Sequence, residues 1–256
     1  MENLNRREIL VFGKNLLLTS LVVGLPLGCS TSQPEEMVNW QQSARPIDGQ
    51  GAAVVKQLSG IAFTDSGSLS EWDRVKSGTT VNLEKGGLLT LSLPDRSVLQ
   101  LKGESRLKLE LDSDQGGDLA LTYGSLLSVV TPRRRSRRYR IKGATATIGV
   151  KGTVCFLQVF KPGAVRDAMV PSRATEYFCI CNGAIDYLNP SANTIAMSDR
   201  AKHHKPYFLY PDGNNVGFIQ SDQLLNHDDR EILSLIDRMI APKHHTSWLE
   251  TYHKRY

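Results

Sequence analysis

The 256-residue chain has few cysteines, few aromatic side chains and no apolar run long enough to span a bilayer. Four cysteines are too few for a disulfide scaffold, so their positions matter more than their number. The longest apolar stretch, Leu16 to Leu27, is interrupted by Thr19, Ser20, Gly24 and Pro26. It falls short of the roughly 20 residues that a membrane-spanning helix needs. Neither Gly-x-Ser-x-Gly nor His-Glu-x-x-His occurs, and no carboxylate pair is marked out, so hydrolase chemistry is the least favoured reading. The net charge of +5 licenses weak attraction to anionic surfaces and no more. The length suits one large or two small domains.

What is present begins with an export signal. Arg6-Arg7 stands ahead of the short apolar run, and small residues follow it, so residues 1–28 have the parts of a signal peptide. Asn5-Arg6-Arg7-Glu8-Ile9-Leu10 is similar to the twin-arginine signal, which carries folded cargo. Leu25-Pro26-Leu27-Gly28-Cys29 resembles a bacterial lipobox, with Pro26 where leucine is usual, and on that reading Cys29 is lipidated. The alternatives are an ordinary cut near Gly28 and an uncleaved anchor. The expected address is the periplasm, with the membrane as first partner through the lipid or the anchor. Export excludes nucleic acid. Residues 29–50 are polar, with Pro34, Pro46 and Gly49, and read as a flexible tether.

From residue 51 to about 188 the pattern is that of strands. Leu89, Leu91 and Leu93 alternate with Thr90 and Ser92; Leu107, Leu109 and Leu111 alternate with Lys108 and Glu110. A spacing of two puts the leucines on one face of each strand. Pro94-Asp95-Arg96-Ser97 carries turn chemistry, because proline presets φ and the aspartate side chain can accept from the backbone ahead of it. Gly103-Glu104-Ser105 reads as another turn. Leu126-Leu127-Ser128-Val129-Val130 is continuously apolar, as expected of a strand covered on both faces. The fold class is therefore mainly β: short antiparallel strands in a sandwich or roll, with a small helical extension at the C-terminal end.

Several of these motifs carry a resemblance. Gly78-x-x-Val81, Gly86-Gly87, Leu93-Pro94-Asp95-x-Ser97-Val98-x-x-Leu101, Gly124-x-Leu126 and Ala146-Thr147-Ile148-Gly149-Val150-Lys151-Gly152-Thr153 resemble the FecR domain. A later Asn182-Gly183-Ala184-Ile185-Asp186-Tyr187 is similar to that family's Gly-x-Val strand, so the likeness runs over about residues 50 to 188. The resemblance implies a β-rich periplasmic module. The family's founding member passes a signal to a cytoplasmic sigma factor through its N-terminal segment. Only Met1 to Asn5 precede the arginine pair here, so that role is not expected to carry over. Read on their own, the small residues of the motif let another strand or loop approach the backbone closely, and a structural role is expected of them.

Two candidate sites stand out. Arg133, Arg134, Arg135, Arg137 and Arg138 lie within six residues. They form a solvated loop or edge, or they contact an anionic partner such as lipid headgroups, a glycolipid or an acidic glycan. The second candidate is built on Cys179 and Cys181, which alternation places on one side of a strand. With His203 or His204, and with His227, they make a reasonable set for zinc or copper. The competing readings are a disulfide from Cys155 to Cys179 or Cys181, and three buried thiols.

The extension, residues 189–256, contains a helix over about 226–240. Ile232, Leu235, Ile236, Met239 and Ile240 form an amphipathic stripe, and Pro242 stops it. Asp228 followed by Glu231 is a capping-box-like start, which gives His227-Asp228-Asp229 a purely structural explanation. The favoured function is a non-enzymatic binding, interaction or signalling module of the cell envelope, with an envelope protein or anionic glycolipid as partner. The alternative is a metal-binding or thiol-redox protein.

Overall fold

The computed structural model describes residues 51–112, 116–131, 138–150, 152–189 and 194–239. These residues form strands and one helix, as the alternation predicts. The chain opens with β1 (Ala52–Ser59), β2 (Ala62–Thr64), β3 (Gly67–Ser68), β4 (Arg74–Lys76) and β5 (Thr80–Leu83). β6 (Leu88–Ser92), β7 (Val98–Asp112), β8 (Gly116–Val129), β9 (Arg138–Lys142), β10 (Thr147–Val150) and β11 (Val154–Val159) follow. β12 (Glu176–Leu188), β13 (Ile195–Ala201), β14 (Lys205–Asp212), β15 (Asn215–Gln220) and the helix α1 (Asp229–Met239) complete it. No helix among the described residues is long and apolar enough to cross a membrane.

The β6–β7 turn forms as its residues dictate. Asp95 Oδ1 accepts from the Ser97 amide at 2.9 Å, and Leu93 N–H donates to the Ser97 carbonyl at 2.8 Å. The stretch at Gly103-Glu104-Ser105 differs from expectation. It is no turn but a bulge inside one 15-residue strand, β7. Gly103 takes a φ of 62°, and the Ser105 hydroxyl patches the broken ladder by donating to the Lys102 carbonyl and accepting from Ser125 N–H. Opposite the bulge, Gly124 has a φ of 100°, and a Cβ there would run into Glu104 and Ser105.

This bend is required by the connection that follows. β8 pairs in parallel with β9 at its beginning, from Gly116↔Arg138 to Ala120↔Lys142, and antiparallel with β11 at its end. The parallel pair departs from the all-antiparallel expectation. A straight β8 would put Gly116 about 43 Å from Val129, whereas the nine residue steps from Val129 to Arg138 reach about 32 Å. The strand must fold over, and Gly124 is where it does.

The FecR-like motif makes the next corner. β10 and β11 both pair antiparallel with β12, β10 against its second half and β11 against its first. Between them Gly152 has a φ of 70°, and Thr153 Oγ1 donates to the Ala184 carbonyl at 2.7 Å. Gly183 of β12 lies so close to Gly152 and Thr153 that a side chain there would collide. Close backbone approach accounts for these small residues, without any catalytic role.

Two apolar cores result. The larger gathers Leu89, Leu101, Leu109, Cys155, Leu157, Phe178, Ile180 and Tyr187, and it draws on strands from β1 to β15, so the sheet curls around it. The smaller lies on the other face of β8, β11 and β12 and holds Leu127, Phe156, Tyr177, Cys179, Cys181 and Phe208. α1 covers it with Ile232, Leu235 and Ile236, all buried. The helix starts at Asp229, three residues after the predicted 226, and Ile240 lies outside the described residues. Asp228 caps it, accepting from Glu231 N–H at 2.8 Å. The Glu231 side chain turns instead to Lys102 of β7, at 2.6 Å.

Besides the turn residue Asp95, a second carboxylate is buried in this body. Glu176 is fully enclosed and accepts from the backbone N–H groups of Thr145 and Ala146, while its Oε2 has no partner among the described residues. Burial pushes its carboxyl up to about 7, against the pull of those donors. A raised carboxylate adds stability that is complete below the ordinary value near 4.3 and lost as pH rises through about 7, a difference of ~3 kcal/mol. Urea denaturation of the wild type should therefore show a fall in stability between pH 4 and pH 8 relative to Glu176→Gln. Parallel pH profiles for the two proteins would refute this.

Candidate metal centre

The site is built on β12. Its Cys179 and Cys181 are two residues apart and share the face turned to the smaller core. Cys155 lies on the other face, paired with Ile180 across the β11–β12 ladder. All three cysteines are free. The pleat explains the absence of the expected bridge: Cys155 points into one core and the Cys-x-Cys pair into the other. Burial, above all, pushes the Cys155 thiol far up, which leaves it chemically inert.

β14 brings the first histidine. Cys179 sits opposite Pro206 in the β12–β14 register, so the turn before β14 lies beside the cysteines. His204 reaches in from that turn, with Nδ1 3.4 Å from Cys179 Sγ, and its side chain is only 5% exposed. His203 is not brought to the cysteines. It is half exposed and meets Asp229 Oδ2 at 3.2 Å, while Asp229 Oδ1 accepts from His204 Nε2 at 2.8 Å. A turn, rather than the extended run considered from the sequence, lets both rings reach one carboxylate.

The second histidine comes from the approach to α1. The segment is pinned by Tyr177, whose hydroxyl accepts from Leu225 N–H at 3.3 Å and donates to the Gln223 carbonyl at 3.4 Å. Lys102 Nζ donates to the Asn226 carbonyl at 2.6 Å. His227 is buried and stacks on Phe156, with ring centroids 4.4 Å apart and 11° between the planes. Its Nδ1 donates to the Leu225 carbonyl at 2.8 Å. That bond sets the tautomer and leaves Nε2 with its lone pair and no hydrogen-bond partner among the described residues.

One ligand atom from each of Cys179, Cys181, His204 and His227 therefore falls within 4.8 Å of all the others. Tetrahedral zinc with Zn–S near 2.3 Å and Zn–N near 2.1 Å places its donors about 3.5 Å apart. The set is thus close to the size the ion requires. Each imidazole has its outer nitrogen held by a fixed acceptor, Asp229 for His204 and the Leu225 carbonyl for His227. That is how metal-binding histidines are oriented. The electrostatics agree. Burial drives the Cys179 thiol up, but the neighbouring Cys181, His204 and His227 outweigh it and hold the thiol well below its ordinary range. Burial and the neighbouring Cys179 push Cys181 the other way. Burial pulls His204 down, and Cys179 and Asp229 more than reverse that.

Local pattern assigns Asp229 to the helix start, and nothing in the sequence marks it as the partner of His204. The capping role is already filled by Asp228, which frees Asp229 to turn to the histidines. The remaining candidates fall elsewhere. Cys29, Arg133, Arg134, Arg135 and Arg137 lie outside the described residues, as does the side chain of Arg138 at the start of β9.

Comparison with known proteins fits the β body. A search of curated proteins finds no match. Two crystal structures from Parabacteroides distasonis ATCC 8503, each of a protein provisionally classed as an anti-sigma factor, are similar in shape. One has 10% identity and a TM-score of 0.42, covering 56% of this chain and 60% of its own. The other has 9% identity and a TM-score of 0.43, covering 62% and 74%. This chain thus spans less than two thirds of the first. At such scores the two carry no argument about function. The family model described as FecR protein matches residues 79–168, from the start of β5's approach to the loop after β11, and all four donors lie beyond it. Over that segment, about a third of its length, the chain is similar to the FecR family.

Proposed function

We propose that this chain is an exported, non-enzymatic binding and signalling module of the cell envelope, in which a FecR domain is extended by a closed Cys2His2 metal centre. The observation that carries the metal assignment is the pair of histidines whose outer nitrogens are taken by Asp229 and Leu225, leaving the inner ones toward two same-face cysteines. Zinc suits the donor set first; copper(I), which favours soft sulfur ligands, is second. With four protein donors and almost no exposure, the centre is of the structural kind, which keeps no open position for a substrate. When bound, the ion ties together β12, the turn before β14 and the approach to α1.

A second reading has a specific observation behind it. Cys179, His204 and Asp229 also line up as a nucleophile, a base and an orienting carboxylate. The metal reading is preferred because a triad has no use for Cys181 and His227, and because Cys179 is 0% exposed.

The export address rests on Arg6-Arg7 and the apolar run, and attachment to the membrane rests on Cys29. The arginine run supplies the anionic contact, whether with lipid or with glycolipid, and the signalling partner on this reading is an envelope protein.

Protein purified without a histidine tag should contain about one zinc per chain. Asp229→Ala should weaken zinc binding ~10–100-fold, since it removes the outer partner of His204 and leaves all four donors in place. Less than about 0.1 metal per chain, with Cys179 open to alkylation in the native protein, would replace the metal reading by the thiol one. Changing Arg133, Arg134, Arg135, Arg137 and Arg138 together to glutamine should abolish low-salt co-sedimentation with anionic vesicles. Undiminished binding would remove the run from the function.

A further inference from the structure

The centre's place in the chain carries a consequence beyond metal binding. His227 is the residue before the helix cap Asp228, and Asp229, the first residue of α1, holds His204. The other three donors belong to the sheet and its turn. The site therefore joins the root of α1 to the strands beneath it. α1 has 11 residues, too short to persist alone in water. Among the described residues it is also attached through the buried Ile232, Leu235 and Ile236, the half-buried Leu233 and the Lys102–Glu231 ion pair. The larger core, on the far side of the sheet, contains no residue of α1 among the described side chains. The helix can leave without opening that core.

We infer that the metal is a latch for α1. With the ion bound, α1 and the segment from Ser221 to Asp228 lie on the sheet. With the ion removed they detach, while the strands around the larger core stay folded and the face formed by Leu127, Phe156, Tyr177 and Phe208 is uncovered. This regulation rests on the metal reading given above. Linkage makes it reciprocal: whatever loosens the helix must also weaken the metal, even with all four donors intact.

Hydrogen–deuterium exchange on the full chain, loaded with zinc and then stripped by a chelator, tests this. Peptides from 221–239 should lose protection by at least about tenfold on zinc removal, while those from β7 and β8 keep theirs. Unchanged protection of α1 in protein shown to have lost its zinc would overturn the latch and leave the metal centre standing. Loss of protection across β7 and β8 as well would also overturn it, since the ion would then hold the whole fold. Failure to bind zinc would remove the reading beneath it. Cysteine variants risk misfolding, so the second measurement uses Glu231→Ala, which cuts the ion pair to Lys102, leaves the Lys102 bond to the Asn226 carbonyl beside His227 in place and touches no donor. Its zinc Kd, read by competition with a chromophoric chelator, should rise several-fold; an unchanged value would refute the coupling.

Discussion

The burial of β12 on both faces is the constraint on which the rest depends. Because its neighbours β11 and β14 occupy both edges of its first half, every backbone group there is engaged in the sheet, and alternate side chains enter different cores. Phe178 and Ile180 go one way; Tyr177, Cys179 and Cys181 go the other. A shift of one residue would send the two thiols into the larger core and bring Phe178 against the helix. Tyr177 resists that shift, since its hydroxyl is bonded to the segment that carries His227. The same ladder that completes the sheet thus holds the donors in register.

Much of the architecture is local and could be read from the chain. The leucine alternation, the Asp95 turn, the doubly covered run at Leu126 to Val130 and the stripe of α1 each follow from neighbours within a few residues. Glycine was less legible. The same residue type marks a tight turn at Gly86, a bulge at Gly103 and a strand bend at Gly124, and only the partner strand separates these cases. The parallel β8–β9 pair belongs to that class too, because it depends on β8 bending.

The site was legible in its ingredients and not in its assembly. Cys-x-Cys on one strand face is a local fact. That His204 and not His203 reaches the thiols depends on the β12–β14 register and on the turn ahead of Lys205. That His227 faces the thiols depends on Phe156 beneath its ring and on a carbonyl two residues earlier. Both readings of His227, helix start and candidate ligand, describe one residue seen from two sides: it stands where the helix begins and over the buried sulfurs. All four candidate donors also lie past residues 79–168, the segment matched by the FecR family model.

The face that receives α1 has a history as well as a shape. It is assembled from β8, β11, β12 and β14, which come from positions 116 to 212. Neighbouring hairpins such as β6–β7 and β14–β15 close short loops, whereas β8 must wait for β11, and β12 for β14, before any apolar surface exists there. The helix has nowhere to dock until those pairings are made. Docking of α1 is therefore coupled to the pairing of β8 with β11 and of β12 with β14.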